Sequence, residues 1–392
     1  MTKLVRLIVA VICVVSFIYS ATAATDDARP VKFSVGTEAE WTDNRDSDPD
    51  PNEEDNLDIY LKPRVDLSFA NLGTELTGYY VLSFRYRENP SETQNDTLWE
   101  HDLEAKLRHA FTPRVRVRVR NKFDLNDDPK VEDGDNTRSD LSHIINRLTA
   151  GVSYDFLERA SLDYDALYRI KRYNKDEGAG VVDEDEMSET LSVSYTFTET
   201  LTALLLTKYS IYKFDDEGAE NRDFDTILVA FGVDVMFNPN LLGKAQVGWQ
   251  SADYDDDDLS DNDQPYALIG LGGSPEQTTR INVELKHGIR DGDAYPYASQ
   301  DYTEGRVRAE WDPITALTLA GEGTYRHSEY DDETVTALPE GDEDTIVAQI
   351  DVTYRFKDRF SVKLAQRFED VDSEVDASYT RNSTRLGFNV YF

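Results

Sequence analysis

A chain of 392 residues with 77 Asp and Glu against 41 Lys and Arg carries a formal net charge of −36. That balance excludes nucleic acid as a partner, because phosphate binding needs Lys and Arg clustered on one face. With 39% hydrophobic and 11% aromatic residues, the chain also holds too much apolar surface for a disordered acidic tail.

The first element in chain order is a leader. Lys3 and Arg6 precede an apolar run from Leu7 to Ile18, and Ala21-Thr22-Ala23 supplies an A-x-A site. This pattern predicts a secretory signal over residues 1–23, cleaved before Ala24, rather than a membrane span. Cleavage removes Cys13, the one cysteine, so no disulfide framework braces the exported chain. No later stretch has 18 consecutive apolar residues, which leaves no transmembrane helix. Residues 24–392 read as a single domain, since composition does not change between halves.

Beyond the leader the chain alternates with a period of two. Val31, Phe33, Val35, Ala39 and Trp41 begin the pattern, and Leu57-Ile59-Leu61 and Leu76-Gly78-Tyr80-Leu82-Phe84 continue it. Val115, Val117 and Val119 then interleave with Arg116, Arg118 and Arg120. Leu162-Tyr164-Ala166-Tyr168, Ile227-Val229-Phe231-Val233-Val235 and Ile346-Ala348-Ile350-Val352-Tyr354 carry it towards the C-terminus. Such spacing predicts strands with one apolar and one polar face. Counted to the end, it gives 18 candidate strands, with 16 as the alternative if one hairpin is miscounted. Many are longer than the five or six residues usual in soluble sheets, and roughly 9–11 tilted residues suffice to cross a bilayer.

The connections fall into two classes. Tight turns at Asn71-Leu72-Gly73, Thr112-Pro113-Arg114, Thr198-Glu199-Thr200 and Lys357-Asp358-Arg359 alternate with long acidic loops, among them 43–56, 126–139, 174–186, 255–264 and 331–344. Aromatics recur about every 40 residues at the turn ends: Phe69, Phe111, Phe156, Phe197, Phe237, Trp311, Phe356 and Phe392. A second set marks the opposite ends: Trp41, Phe84, Phe123, Tyr209, Trp249, Tyr325 and Phe368. Two aromatic rings around an apolar band are the girdles of a membrane-spanning barrel, and short turns facing long loops are its layout.

The final segment, Leu386-Gly-Phe-Asn-Val-Tyr-Phe392, resembles the terminal strand by which outer-membrane assembly machinery recognises its clients. With the leader, hairpins and girdles, the whole chain after residue 23 resembles bacterial outer-membrane β-barrel proteins. The length, the strand count and turns such as Phe197-Thr-Glu-Thr-Leu201 are similar to the β-barrel porin families associated with exopolysaccharide export, which include the 18-stranded alginate-export channel. The resemblance implies an all-β fold: a closed antiparallel transmembrane barrel with short periplasmic turns and long acidic extracellular loops, in the bacterial outer membrane. It further implies contact with lipid and lipopolysaccharide, recognition by the assembly machinery through the strand ending at Phe392, and inner-membrane or periplasmic polysaccharide-export partners.

In such a barrel the polar face lines the lumen. Closing 18 strands at ~4.8 Å spacing and ~40° tilt gives a backbone diameter of roughly 35 Å, wide enough for an aqueous channel. Parity points Arg116, Arg118, Arg120, Arg147, Arg169, Lys171, Arg306 and Arg308 inward, with Glu104, Asp163, Asp165 and Glu322 among them. These bases are the candidate solute path, because guanidinium suits bidentate recognition of carboxylate or phosphate. A second account of the same residues is a wall of cross-strand ion pairs. Any constriction has to come from loops folded inward. The expected function is an outer-membrane channel passing an anionic polysaccharide or oligosaccharide outward. A general diffusion porin and a surface or adhesin barrel without transport are the alternatives.

Enzyme readings find no footing in the sequence. His101, His109, His143, His287 and His327 sit in no nucleophile or metal motif. The acidic run from Asp253 to Asp263 lacks the Gly and terminal Glu of a calcium loop. No catalytic residue, metal site or cofactor is expected.

Overall fold

A computed structural model describes residues 30–392, apart from 50–52, 91–94, 127–129, 133–134, 138–141, 175–181, 216–221, 256–260, 293, 295–296 and 331–340. The predicted leader, residues 1–23, lies outside the described residues. The strands are β1 (Val31–Thr42), β2 (Asn56–Asn71), β3 (Thr74–Arg87), β4 (Thr97–Thr112), β5 (Val115–Asn126), β6 (His143–Leu157), β7 (Ala160–Tyr173), β8 (Asp183–Thr198) and β9 (Leu201–Asp215). They continue as β10 (Phe224–Asn238), β11 (Leu241–Tyr254), β12 (Asn262–Glu276), β13 (Thr279–Asp291), β14 (Ser299–Ile314), β15 (Leu317–Tyr330), β16 (Gly341–Phe356), β17 (Phe360–Ser373) and β18 (Tyr379–Tyr391). Each pairs antiparallel with its sequence neighbours, and β1 pairs with β18 from Ser34↔Tyr391 to Thr42↔Ser383. The sheet therefore closes on itself as an 18-stranded antiparallel barrel, as the alternation predicts. A separate two-stranded ribbon, Lys130–Glu132 with Asp135–Thr137, lies in the β5–β6 connection.

Closure inverts the usual sense of burial. Phe231 is 66% exposed on the outer face while its neighbour Ala230 is fully buried on the inner one. Ile227, Val229 and Val233 join Phe231 outside. Both aromatic sets point outward: Phe69, Phe111, Phe197, Phe237 and Phe356 at the turn end, Trp41, Tyr209, Trp249 and Tyr325 at the other. Four of the turn-end phenylalanines have a further local cause. The ladders slip between Ala110 and Thr112, Asp155 and Leu157, Thr196 and Thr198, and Met236 and Asn238. The extra residue in each β-bulge is therefore Phe111, Phe156, Phe197 or Phe237, a place where a side chain can be re-aimed without breaking the sheet.

The strands run further than expected at the long-loop end. A strand of about 14 residues at ~3.3 Å per residue and ~40° tilt rises roughly 35 Å, about 10 Å more than the apolar belt needs. Acidic residues read as loop are strand here: β8 starts at Asp183 and β16 at Gly341. Their side chains still alternate, and those pointing inward find basic partners. The predicted turn at Lys357–Arg359 is one turn of 3₁₀ helix, with Lys357 at φ 55°.

Candidate functional site

The lumen is the concave surface that all 18 strands share. On β5 the inward residues Arg116, Arg118 and Arg120 repel one another along one face, and each is answered by acids. Arg116 Nη1 donates to Asp155 Oδ2 at 2.7 Å, and Arg120 Nε donates to Glu104 Oε2 at 2.7 Å. Arg118 Nε reaches Asp165 Oδ1 at 2.9 Å, two strands away on β7. It does so over Gly151 of β6. A Cβ there would run into that Asp165 oxygen and would lie 2.7 Å from Arg118 Nε. Only glycine leaves the passage open.

The other expected path residues are paired in the same way. Arg169 is buried, with Nε 3.0 Å from Glu186 and Nη2 2.7 Å from Asp291, while Lys171 Nζ meets Glu184 at 3.2 Å. Arg306 and Arg308 share Glu322 at 3.2 and 3.7 Å. Arg147 lies between Lys122 and Arg169 in the register of β5, β6 and β7. The bases of β6, β7 and β14 stand at positions opposite in parity to the exposed apolar residues of their strands, and those of β5 opposite to Val115, Val117 and Val119. They divide into two groups, one on β5–β7 and one on β14. The structure thus contains the ion-paired wall foreseen as the second account of these residues.

The lumen is narrowed by a connection folded inward, the one between β13 and β14, which the sequence pattern does not single out. The β12–β13 ladder stops at Ala267↔His287, yet β13 runs on to Asp291 and stays paired with β14 up to Ser299. The end of the β13–β14 hairpin therefore leaves the wall and turns inward. Gln250 on β11 holds it there: its Nε2 donates to Ile289 O at 2.9 Å, and Ile289 N donates to its Oε1 at 3.1 Å. Asn262 and Gln264 of β12 both donate to the Asp301 carboxylate, and Tyr254 OH meets Ser299 Oγ at 2.5 Å. Ile289 and Ala298 pack on the inward Tyr212, Phe224 and Ala252. At the tip, Asp291 takes the Arg169 bond described above, Arg222 Nη1 donates to Tyr297 O at 3.2 Å, and Tyr297 packs on Tyr330. The hairpin thus crosses the inner face from β13 towards β7 and narrows the lumen from that side.

Space remains on the other side. A cavity of about 380 Å³ is bounded by strands β17, β18 and β1–β5. Arg87, Arg367, Arg381 and Arg385 line it together with Glu40, Asp58, Glu100, Asp102 and Asp124. Arg45, in the β1–β2 connection, also lines it, and its hydrogen bond to Asp46 raises the guanidinium pKa further above its ordinary value. In the same connection burial pushes the Asp48 carboxyl up. Arg367, Arg381 and Arg385 were not among the candidate path residues, although the parity of Leu364 and Leu386 beside them assigns them to the lumen. Beneath the cavity is a smaller one of about 90 Å³.

The family model described as "Putative beta-barrel porin 2" matches residues 183–392. Among solved structures, Pseudomonas aeruginosa OpdK is similar, at 12% identity over 92% of this chain and 99% of that one, with a TM-score of 0.48. OpdQ from the same organism is 13% identical over 92% and 98%, with a TM-score of 0.46. OpdL is 12% identical over 93% and 99%, with a TM-score of 0.45. A comparison with curated proteins finds no match.

Proposed function

The chain belongs to the beta-barrel porin family whose model spans β8–β18, and as an outer-membrane porin-like channel we propose that it passes small polar and charged solutes by passive diffusion. The observation that carries this reading is the divided lumen. One side is occupied by the inward hairpin, and the other keeps a 380 Å³ cavity lined by both signs of charge. That volume is of the order of a small-molecule site.

The narrower reading, outward passage of an anionic polysaccharide along Arg116, Arg118, Arg120, Arg147, Arg169, Lys171, Arg306 and Arg308, draws on the same lumen. Pairing weighs against it. Seven of these bases already hold carboxylates of the wall, and a hairpin crosses the inner face between the two groups. An export role would also call on inner-membrane partners that deliver polymer, which this chain's own residues do not specify. The diffusion reading assigns no catalytic step. His101 bonds Tyr80, His109 bonds Thr74, His287 bonds Thr303, and His327 bonds Asp344, all as local wall contacts.

Planar-bilayer recording together with swelling of liposomes in sugars of increasing size tests the proposal. Stepwise conductance and a sharp size limit at small oligosaccharides are expected. Absence of any current from folded barrel would overturn it in favour of a surface protein without transport. Free passage of long polymer would restore the export reading.

A further inference from the structure

The smaller cavity is built differently from the rest of the lumen. Lys62 on β2, Lys363 and Arg367 on β17 and Arg385 on β18 all line its 90 Å³, and Glu38 is the single carboxylate among the lining residues. Glu38 holds Lys62 inside the cavity, 2.7 Å from its Nζ, whereas the acids that hold the other three bases stand behind them. Lys363 Nζ lies 3.0 Å from Asp351, Arg367 Nη2 lies 2.5 Å from Glu369, and Arg385 Nε lies 2.7 Å from Glu40. None of those three carboxylates lines the cavity. These three acids therefore orient Lys363, Arg367 and Arg385 without lining the space in front of them, and those three cations are the ones that can take an anion. Arg385 shows this most clearly: Glu40 approaches it at Nε, and its side chain is 43% exposed where that of Glu40 is 11%. One Nη N–H of a guanidinium points the same way as Nε–H, while the other three N–H groups point away from it and keep donors for a second acceptor.

We propose that this corner between β17, β18, β1 and β2 is a binding subsite for one oxyanion group, a carboxylate, sulfate or phosphate, on a small organic solute. The size of the cavity suits a single group of that kind, not a chain of them. Ser383 adds a hydroxyl donor. Lys62, Arg367, Ser383 and Arg385 also line the 380 Å³ cavity, so the two spaces share a boundary. The larger one takes the rest of the solute, and Glu100, Asp102 and Asp124 across it disfavour a second anionic group there. The preferred solute is a monoanion whose other end is neutral or cationic. This subsite deepens the diffusion-channel reading and rests on it for its role, though not for its chemistry.

Sodium sulfate is the probe. Sulfate added to barrels conducting in potassium chloride should block current saturably, and Lys363→Gln or Arg385→Gln should weaken that block by about tenfold, the loss of one charge-assisted contact. Arg280 on β13 is paired with Glu310 and Asp312 and lines neither cavity, so Arg280→Gln should keep wild-type block. Equal block in all the variants, or none in wild type, overturns the subsite and leaves the channel standing. Calorimetry of sulfate with detergent-solubilised barrel gives an answer independent of current. If the folded barrel conducts nothing, the channel reading falls, and the subsite stands or falls on whether wild type binds sulfate more tightly than Arg385→Gln. Acetate and inorganic phosphate, run in parallel, separate carboxylate from tetrahedral anions.

Discussion

Around β17, β18 and β1–β5 the inner wall is charged and meets open space, whereas around β9–β12 it is largely apolar and meets protein. Leu206, Leu228, Ala230, Tyr266 and Leu268 make one inward cluster there, and Tyr212, Phe224 and Ala252 another beneath the β13–β14 hairpin. One backbone pattern serves both halves, since every strand alternates and all are paired. The difference lies in what covers the inner face. Where water covers it, each charge needs a counter-charge on a neighbouring strand. Where a hairpin covers it, apolar residues and a few neutral amides do the joining, and Gln250 supplies to Ile289 the pair of bonds that the β12 backbone no longer does.

The sharpest break in this comparison is at Arg169, where a charge is buried in the covered half. Its side chain is 3% exposed and faces Glu186, Glu184 and Asp291. Replacement by Gln leaves three carboxylates without their shared cation and should cost about 3–5 kcal/mol. Denaturant unfolding of the barrel in detergent measures this. Loss of the Asp291 tether should also raise unit conductance, because the hairpin tip is freed.

Next in size is a paired test of the two faces. Parity alone predicts that Arg at Phe231 costs about 2–4 kcal/mol by facing lipid, while Arg at Ala230 is tolerated as a lumen residue. Phe231 does point outward, as the first expectation requires. The second is corrected by the structure, because Ala230 is fully buried against Leu228, Tyr266 and Leu268. Ala230→Arg should therefore damage folding about as much as Phe231→Arg. Val81→Arg, which places the same group in the open cavity, should cost under about 1 kcal/mol, as surface substitutions do. Equal harm at all three sites would mean that the open half is not open.

These positions show what the chain discloses and what it conceals. The 18 strands, the outward girdles and the inward bases are all legible, because a period of two is a local property that closure preserves. The partners of the bases are not, since register between neighbouring strands and reach across a third depend on the shear of the closed sheet. Arg118 finding Asp165 over Gly151 is such a case. The hairpin was hidden for a related reason. Ile289 and Asp301 occupy outward positions by parity, and nothing in the alternation marks where the strands leave the wall to turn those positions against β11 and β12.

Gly288 offers a test of the hairpin's seat. A Cβ there would lie 2.8 Å from Gln250 Oε1 and 3.2 Å from Tyr266 Cδ2. Gly288→Val should push the hairpin off the wall at about 1–3 kcal/mol, the range for overpacking, and increase conductance as Arg169→Gln does. Gln250→Ala should move conductance in the same direction with a smaller loss of stability. An unchanged size limit in both would show that the hairpin does not set the bore.

The smallest stability effect belongs to the exposed charges of the open half, and there the functional readout matters more. Arg116 is 50% exposed and Asp155 32%, so their pair is worth about 0.2–1 kcal/mol at most. Changing Arg116, Arg118 and Arg120 together to Gln should lower stability only modestly, although Arg118 also serves Asp163 and Asp165. What the triple change does alter is the sign of the local field. Asp155, Asp163, Asp165 and Glu104 remain on the wall with their cationic partners on β5 gone, while Glu104 keeps Lys106 at 2.5 Å. A lumen lined by unbalanced carboxylates concentrates cations, so the reversal potential in a potassium chloride gradient should shift towards potassium. The shift should shrink at high salt, where charges further apart than a Debye length of ~3 Å at 1 M are screened. If the shift is towards chloride, or is absent at low salt, β5 lies outside the conducting path and the solute keeps to the cavity beside β17 and β18.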